Sequence, residues 1–151
     1  NHIIKNSNFV NNSASMSGGT IHVDQKGSLN LENVSISSSG THATKGSVIY
    51  SIGKLNIKNV NISILKNSYK NDDIRDCQQS VFSHSGLHWS LLLVSIEIIC
   101  PSGFYIVVKN DTSVKINQHG MLSSIRQSNI EYFCKCCRQY TYSLESGKYR
   151  F

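Results

Sequence analysis

The chain has 151 residues, room for one modest domain or one domain with a small appendage, and a formal net charge of +6 at pH 7. Sixteen per cent charged residues, one proline and abundant Ser and Asn describe a polar, turn-rich β protein and exclude a disordered or mainly helical chain. The longest apolar run, Leu91 to Ile99, is broken by Ser95 and Glu97 and is too short to cross a bilayer as a helix.

The first element is HIIKNSNFV at residues 2–10, with Ile4, Asn6 and Phe9 as its frame. The frame returns in SLNLENVSIS, where Leu31, Asn33 and Ile36 each lie 27 positions later, and again in KLNIKNVNIS, 26 positions beyond that. Apolar residues alternate on either side of each asparagine, Leu29 and Leu31 before Asn33, Val34 and Ile36 after it. Alternation puts one set of side chains on one face of a strand. The step of three across Asn33 shifts the phase, so a bend belongs there, and asparagine accepts the left-handed backbone a bend requires. Asn6, Asn33 and Asn59 are therefore expected to stack as a structural ladder. Further on, WSLLLVSIE sets Trp89, Leu91, Val94 and Ile96 34 positions after Leu55, Ile57, Val60 and Ile62, with Leu93 in place of the asparagine.

A second register runs between these segments: Gly19-Thr20-Ile21, Gly46-Ser47-Val48 and Gln79-Ser80-Val81, each shortly before a glycine turn at Gly27, Gly53 or Gly86. Each repeat thus reads as three short strands, in the first full copy about Thr20 to Val23, Leu29 to Leu31 and Val34 to Ile36. Repeats of this length are units that bury their apolar face only against a neighbour. The expectation is an all-β parallel β-helix of about four rungs over residues 1–99. The chain opens in the middle of a repeat, which points to a fragment of a longer protein, because intact solenoids carry polar end caps.

Composition changes at Cys100, and residues 100–151 read as a small cysteine-rich tail. The five cysteines, Cys77, Cys100, Cys134, Cys136 and Cys137, are disulfide candidates. A zinc site needs four suitably spaced ligands, whereas CKCC offers three crowded thiols with His119 the nearest imidazole, so no metal is expected. A tail with little core needs staples, and Cys100 bonded to one of the CKCC group is the preferred bridge. N-x-S/T triplets make Asn11, Asn61 and Asn110 glycosylation candidates, while Asn33, also in such a triplet, is assigned to the ladder.

Two stretches resemble known families. FVNNSASMSGGTIHV, through Phe9, Asn12, Gly18, Gly19 and Ile21, is similar to the F-x-x-N and G-G-A-I repeat of the chlamydial polymorphic outer membrane proteins. That resemblance implies a right-handed parallel β-helix, exposure at the cell surface and adhesin-like roles. CKCCRQYTYSLESG looks like the start of an ephrin-receptor-like cysteine-rich module, matching at Cys134, Cys137, Thr141, Tyr142, Ser143 and Gly147. It implies a large extracellular or membrane-anchored parent.

Catalysis is not expected. Carbohydrate-active β proteins group carboxylates on one face. Here Asp24 and Glu32 are followed one repeat later by Ser51 and Lys58, and Asp72, Asp73 and Asp76 share one loop with Lys70 and Arg75. His2, His22, His42, His84, His88 and His119 are scattered, and His84 and His88, flanking Gly86, read as exposed turn residues. Trp89, Tyr50 and Phe82 could form a surface on which a sugar stacks, but Trp89 occupies the Leu55 column and reads as a core residue. Lys45, Lys54, Lys58, Lys66 and Lys70 are spread out rather than clustered, so the basic charge reads as a solvated surface, with no nucleic-acid partner and no cofactor. The expected function is a non-catalytic, extracellular, adhesin-like segment whose loops contact protein or glycan. The alternative is a non-catalytic portion of a polysaccharide lyase or hydrolase, and a third possibility is a polyanion-binding surface, whose affinity for heparin would fall steeply with salt.

Overall fold

The structure is a computed structural model that describes residues 1–38, 45–65, 78–88, 96–116 and 122–136, with 87–88, 110–116 and 122–128 described by their backbone. Nine strands are present among these residues: β1 His2–Val10, β2 Ile21–Val23, β3 Ser28–Ser38, β4 Ile49–Ser51, β5 Lys54–Ile64, β6 Gln78–His88, β7 Ile96–Ile99, β8 Phe104–Ile116 and β9 Leu122–Cys136. They form two sheets. The first has the order β1-β3-β5-β7 and the second β2-β4-β6-β9-β8.

The first sheet is parallel throughout and follows the sequence repeat. Leu29 pairs with Leu55, Leu31 with Ile57, Val34 with Val60 and Ile36 with Ile62. Burial in β3 falls on Leu29 and Leu31, then on Val34, Ile36 and Ser38, so the buried set changes parity across Asn33. The backbone explains the change: Asn6, Asn33 and Asn59 have φ of 48, 53 and 55°, in the left-handed region that asparagine tolerates. Their amides bond in a column, Asn33 Nδ2 donating to Asn6 Oδ1 at 3.1 Å and Asn59 Nδ2 to Asn33 Oδ1 at 2.8 Å. Two more columns run along the same face. Asn56 donates to Asn30 at 2.6 Å and Asn30 to Asn1 at 3.3 Å, and the Glu32 carboxylate takes Lys5 at 2.8 Å and Lys58 at 3.0 Å.

The second sheet departs from the repeat. β2, β4 and β6 are parallel, but β9 joins the free edge of β6 antiparallel and β8 pairs antiparallel with β9. The expected right-handed parallel β-helix is therefore corrected: the fold is all-β with two sheets, one parallel and one mixed. The physical reason lies in residues 104–136, whose two long strands form a hairpin, and a hairpin imposes antiparallel pairing. Each repeat also supplies two strands rather than three, because the ladder resumes on both sides of Asn33 and β3 runs unbroken for 11 residues.

Three register expectations change with it. Gly18, not Gly19, lies beside Gly46: Gly18 N–H donates to Gly46 O at 2.9 Å, and both have positive φ, 62 and 53°. Ile21 accordingly pairs with Ile49, and Ser51 with Val23 rather than Asp24. In the fourth row Ile96 pairs with Val60 and Ile98 with Ile62, two residues out of the expected frame, while Trp89, Leu91 and Val94 lie outside the described residues. Gly86 is a strand residue within β6 opposite Ser128, not a turn. Its lack of a side chain is used there, since a Cβ would sit 2.8 Å from the Gly53 carbonyl oxygen.

Both sheets contribute to one hydrophobic core, the rows of β3, β5 and β7 on one side and Ile21, Ile49, Phe82, Ile130 and Tyr132 on the other. Tyr132 closes the last row edge-on to Phe82, ring centroids 5.5 Å apart. Cys100, just after β7, is disulfide-bonded to Cys134 in β9, with both residues fully buried, so the bridge ties the two sheets together. Cys136 is disulfide-bonded as well. Cys77 and Cys137 lie outside the described residues.

Candidate binding face

Residues directly opposite one another on adjacent strands project to the same side of a sheet. Across the second sheet His22 pairs with Tyr50, Tyr50 with Ser83, Ser83 with Glu131 and Glu131 with Lys109. Their neighbours Ile21, Ile49, Phe82 and Tyr132 fill the core, so the row projects to the other side of the sheet, with His22, Tyr50, Glu131 and Lys109 reaching solvent and Ser83 between them buried. At about 4.8 Å per strand it spans ~19 Å.

The C-terminal half of the row floors a cleft of about 370 Å³ where parallel strand β6 meets antiparallel β9, with Lys45 and Lys109 on its lining. Its polar groups are set from below. Gly46 N–H donates to Ser80 Oγ at 2.9 Å, and Ser80 Oγ–H donates to Glu131 Oε1 at 2.6 Å. Ser80 is buried, so one carboxylate oxygen is held by a hydroxyl that is itself fixed by the backbone. Ser85 Oγ donates to Asn129 Oδ1 at 2.6 Å, which orients the Asn129 amide with its N–H groups as remaining donors. Lys109 lies with its ammonium 4.8 Å from the centre of the Phe133 ring, a cation–π contact that steadies a long side chain. Among the described residues, neither Lys45 nor Lys109 forms an ion pair with Glu131. At the other end of the row the His22 ring packs 5.0 Å from that of Tyr50, and Ser17 Oγ lies 3.2 Å from His22 Nδ1.

Such an arrangement presents cations, amide donors and a fixed carboxylate acceptor on a rigid floor. It is suited to holding a polar ligand. Glycosidic hydrolysis by the usual route needs two carboxyl groups flanking the bond, and Glu131 is the one carboxylate among the described residues lining this cleft.

The residues singled out from the sequence fall differently. Asn6, Asn33 and Asn59 come together as described above. Asn11 is exposed in the connection after β1, with φ of 54°, and Asn61 is exposed within β5. Asn110 is in β8, described by its backbone. His84, expected at the surface, is corrected to a buried residue: it pairs with Ser51 and Ile130 and shares their inward face, since β6 continues through Gly86 instead of turning. The proposed trio of Trp89, Tyr50 and Phe82 does not share one surface, because Tyr50 faces outward while Phe82 is buried in the core. Asp72, Asp73 and Asp76 lie outside the described residues, as do His42 and His119. Among the described residues no group of three or more His, Cys, Asp or Glu could hold a metal ion, and no helix is long and apolar enough to cross a membrane.

The sequence reading missed the cleft itself. Lys45 and Lys109 are far apart in the chain and meet only through the pairing of β6, β9 and β8. A usable signal was present in FYIVVKNDTSVKI, whose β-branched and aromatic opening after Gly103 marks a strand rather than a coreless tail. Compared with known proteins, the chain matches no family model, no curated protein and no solved structure.

Proposed function

We propose that the chain is a non-catalytic, extracellular binding segment of a larger adhesin-like protein, and that the cleft over β6, β9 and β8 is its ligand-contacting surface. The observation that carries this reading is the cleft's construction: charged and amide groups from three separate segments, with Glu131 and Asn129 oriented by hydrogen bonds from Ser80 and Ser85, on a sheet cross-linked through Cys100 and Cys134. Pre-positioned polar groups on a rigid support are what a binding site needs, because little side-chain freedom is lost when the ligand arrives. A buried disulfide accords with an oxidising compartment. The F-x-x-N and G-G resemblance at Phe9, Asn12, Gly18 and Gly19 supports exposure at a cell surface, and the tail resemblance supports a large parent.

The test uses the disulfide-intact chain on a glycan array and on intact cells, beside the double variant Asn129→Ala/Lys109→Ala. Binding that disappears in a variant with an unchanged unfolding midpoint supports the reading. Binding unchanged in the variant rejects the cleft as the contact surface. New reducing ends released from a polysaccharide pool would instead support the enzyme alternative.

A further inference from the structure

Resting on the binding role proposed above, we infer that the cleft takes an anionic saccharide, one whose carboxylate or sulfate is engaged by Lys45 and Lys109 while its hydroxyls meet Asn129 and Glu131. Two ammonium groups against one carboxylate leave the lining net positive, and the chain as a whole carries +6, which adds a favourable long-range field for an anion. Neither lysine is spent on an ion pair with Glu131, although Lys109 is its direct cross-strand neighbour. Elsewhere on the molecule the same juxtaposition does close: Lys5 and Lys58 both bond the Glu32 carboxylate. Glu131 instead receives Ser80 from beneath.

The polar groups match a sugar rather than a simple ion. A free phosphate or sulfate needs cations and N–H donors alone and is disfavoured beside a carboxylate. A saccharide ring uses both kinds of group: its hydroxyls donate to the Glu131 carboxylate and accept from the Asn129 amide, while its charged substituent goes to the lysines. Beyond the buried Ser83 the row reaches the half-buried Tyr50, packed on one side by His22; the remaining Tyr50 ring surface offers an apolar contact for the C–H side of a neighbouring sugar unit. The ~19 Å row therefore favours an oligosaccharide over a single ring.

Calorimetric titration of the whole, disulfide-intact chain separates the possibilities, with three probes of equal length: a heparin-derived tetrasaccharide, tetragalacturonate, and a desulfated, carboxyl-reduced tetrasaccharide. The expected result is binding of at least one anionic probe, at least tenfold tighter than the neutral one and weakening with salt. Lys45→Gln and Lys109→Gln should each cost about tenfold and lower the salt slope by about one. Lys26→Gln, a substitution at an exposed turn away from the cleft, should change neither. Glu131→Gln keeps the acceptor for Ser80 and removes the negative charge, so it should tighten the anionic probe severalfold. Preference between the first two probes assigns sulfate or carboxylate. Equal binding of the neutral probe, lost on Asn129→Ala, would overturn the anionic inference and leave the binding role standing. Anionic binding reduced as much by Lys26→Gln as by the cleft variants would overturn both, as a diffuse charge effect.

Discussion

Replacing Asn33 by leucine and, separately, by glycine divides the stability of the asparagine column into its parts. Asn33 holds φ of 53°, a conformation that costs an ordinary L residue about 1–2 kcal/mol. Its amide donates one hydrogen bond and accepts another, to Asn6 and from Asn59. The residue is exposed, so each bond belongs at the low end of the usual range, about 0.5 kcal/mol. Asn33→Leu loses both bonds and strains the corner, for an expected loss of ~2–3 kcal/mol, the sum of those contributions. Asn33→Gly keeps the backbone relaxed in the folded state but loosens the unfolded chain, for an expected loss of ~1–2 kcal/mol. Urea unfolding followed by far-ultraviolet circular dichroism resolves that difference, provided the denaturant slope stays constant. Equal losses for the two variants would remove the strain term, and an unchanged midpoint in both would remove the column as a source of stability.

Gly53→Ala places a Cβ 2.5 Å from the Gly27 carbonyl oxygen and also against the Asp24 carbonyl. Backbone atoms cannot rotate aside, so the variant should lose ~1–3 kcal/mol in the same assay. Peptide mapping without reduction should recover Cys100 linked to Cys134. Cys100→Ala/Cys134→Ala should lower stability by ~3–4 kcal/mol, the loop-entropy value for a separation of 34 residues, plus any packing lost from two buried sites. Burial pushes the Tyr132 hydroxyl from 10.0 up to about 12. A raised folded-state value means its contribution is intact below pH 10 and declines between pH 10 and 12, so ultraviolet titration should show a late-ionising tyrosine that Tyr132→Phe abolishes.

How far the sequence led can be argued residue by residue. The parallel sheet was legible because its rows are written twice over: Leu29 on Leu55, Val34 on Val60, Asn33 on Asn59. The facing strands were legible only to within one residue. Asn-framed rows repeat at 26 while Ile21 and Ile49 are 28 apart, and the difference is a turn of four residues, 24–27, that shrinks to two, 52–53. Aligning Gly46 with Gly19 instead of Gly18 sets the second register at 27 rather than 28, one residue out. The position of His84 turns on Gly86, which reads as a turn in the sequence, whereas its hydrogen side chain serves the close approach of the Gly53 carbonyl inside a continuous strand.

The candidate cleft was not legible, and the cause is the change of strand direction. In a parallel stack every row is copied from one repeat to the next, so composition along a row can be read by superposing the copies, as Lys5, Glu32 and Lys58 show. At β6 the copying stops. The partner across from Ser83 is Glu131, supplied by a hairpin whose register obeys no repeat, with a bulge between Ser80 and Phe82 adjusting the fit. That bulge lies at Ser80, whose hydroxyl reaches Glu131, the β9 residue that in turn pairs with Lys109 of β8. The junction is thus the place where the stack acquires side chains it cannot generate by repetition. Superposed repeats predict an even, solvated surface; a polar cleft with opposite charges at set positions requires the antiparallel pair.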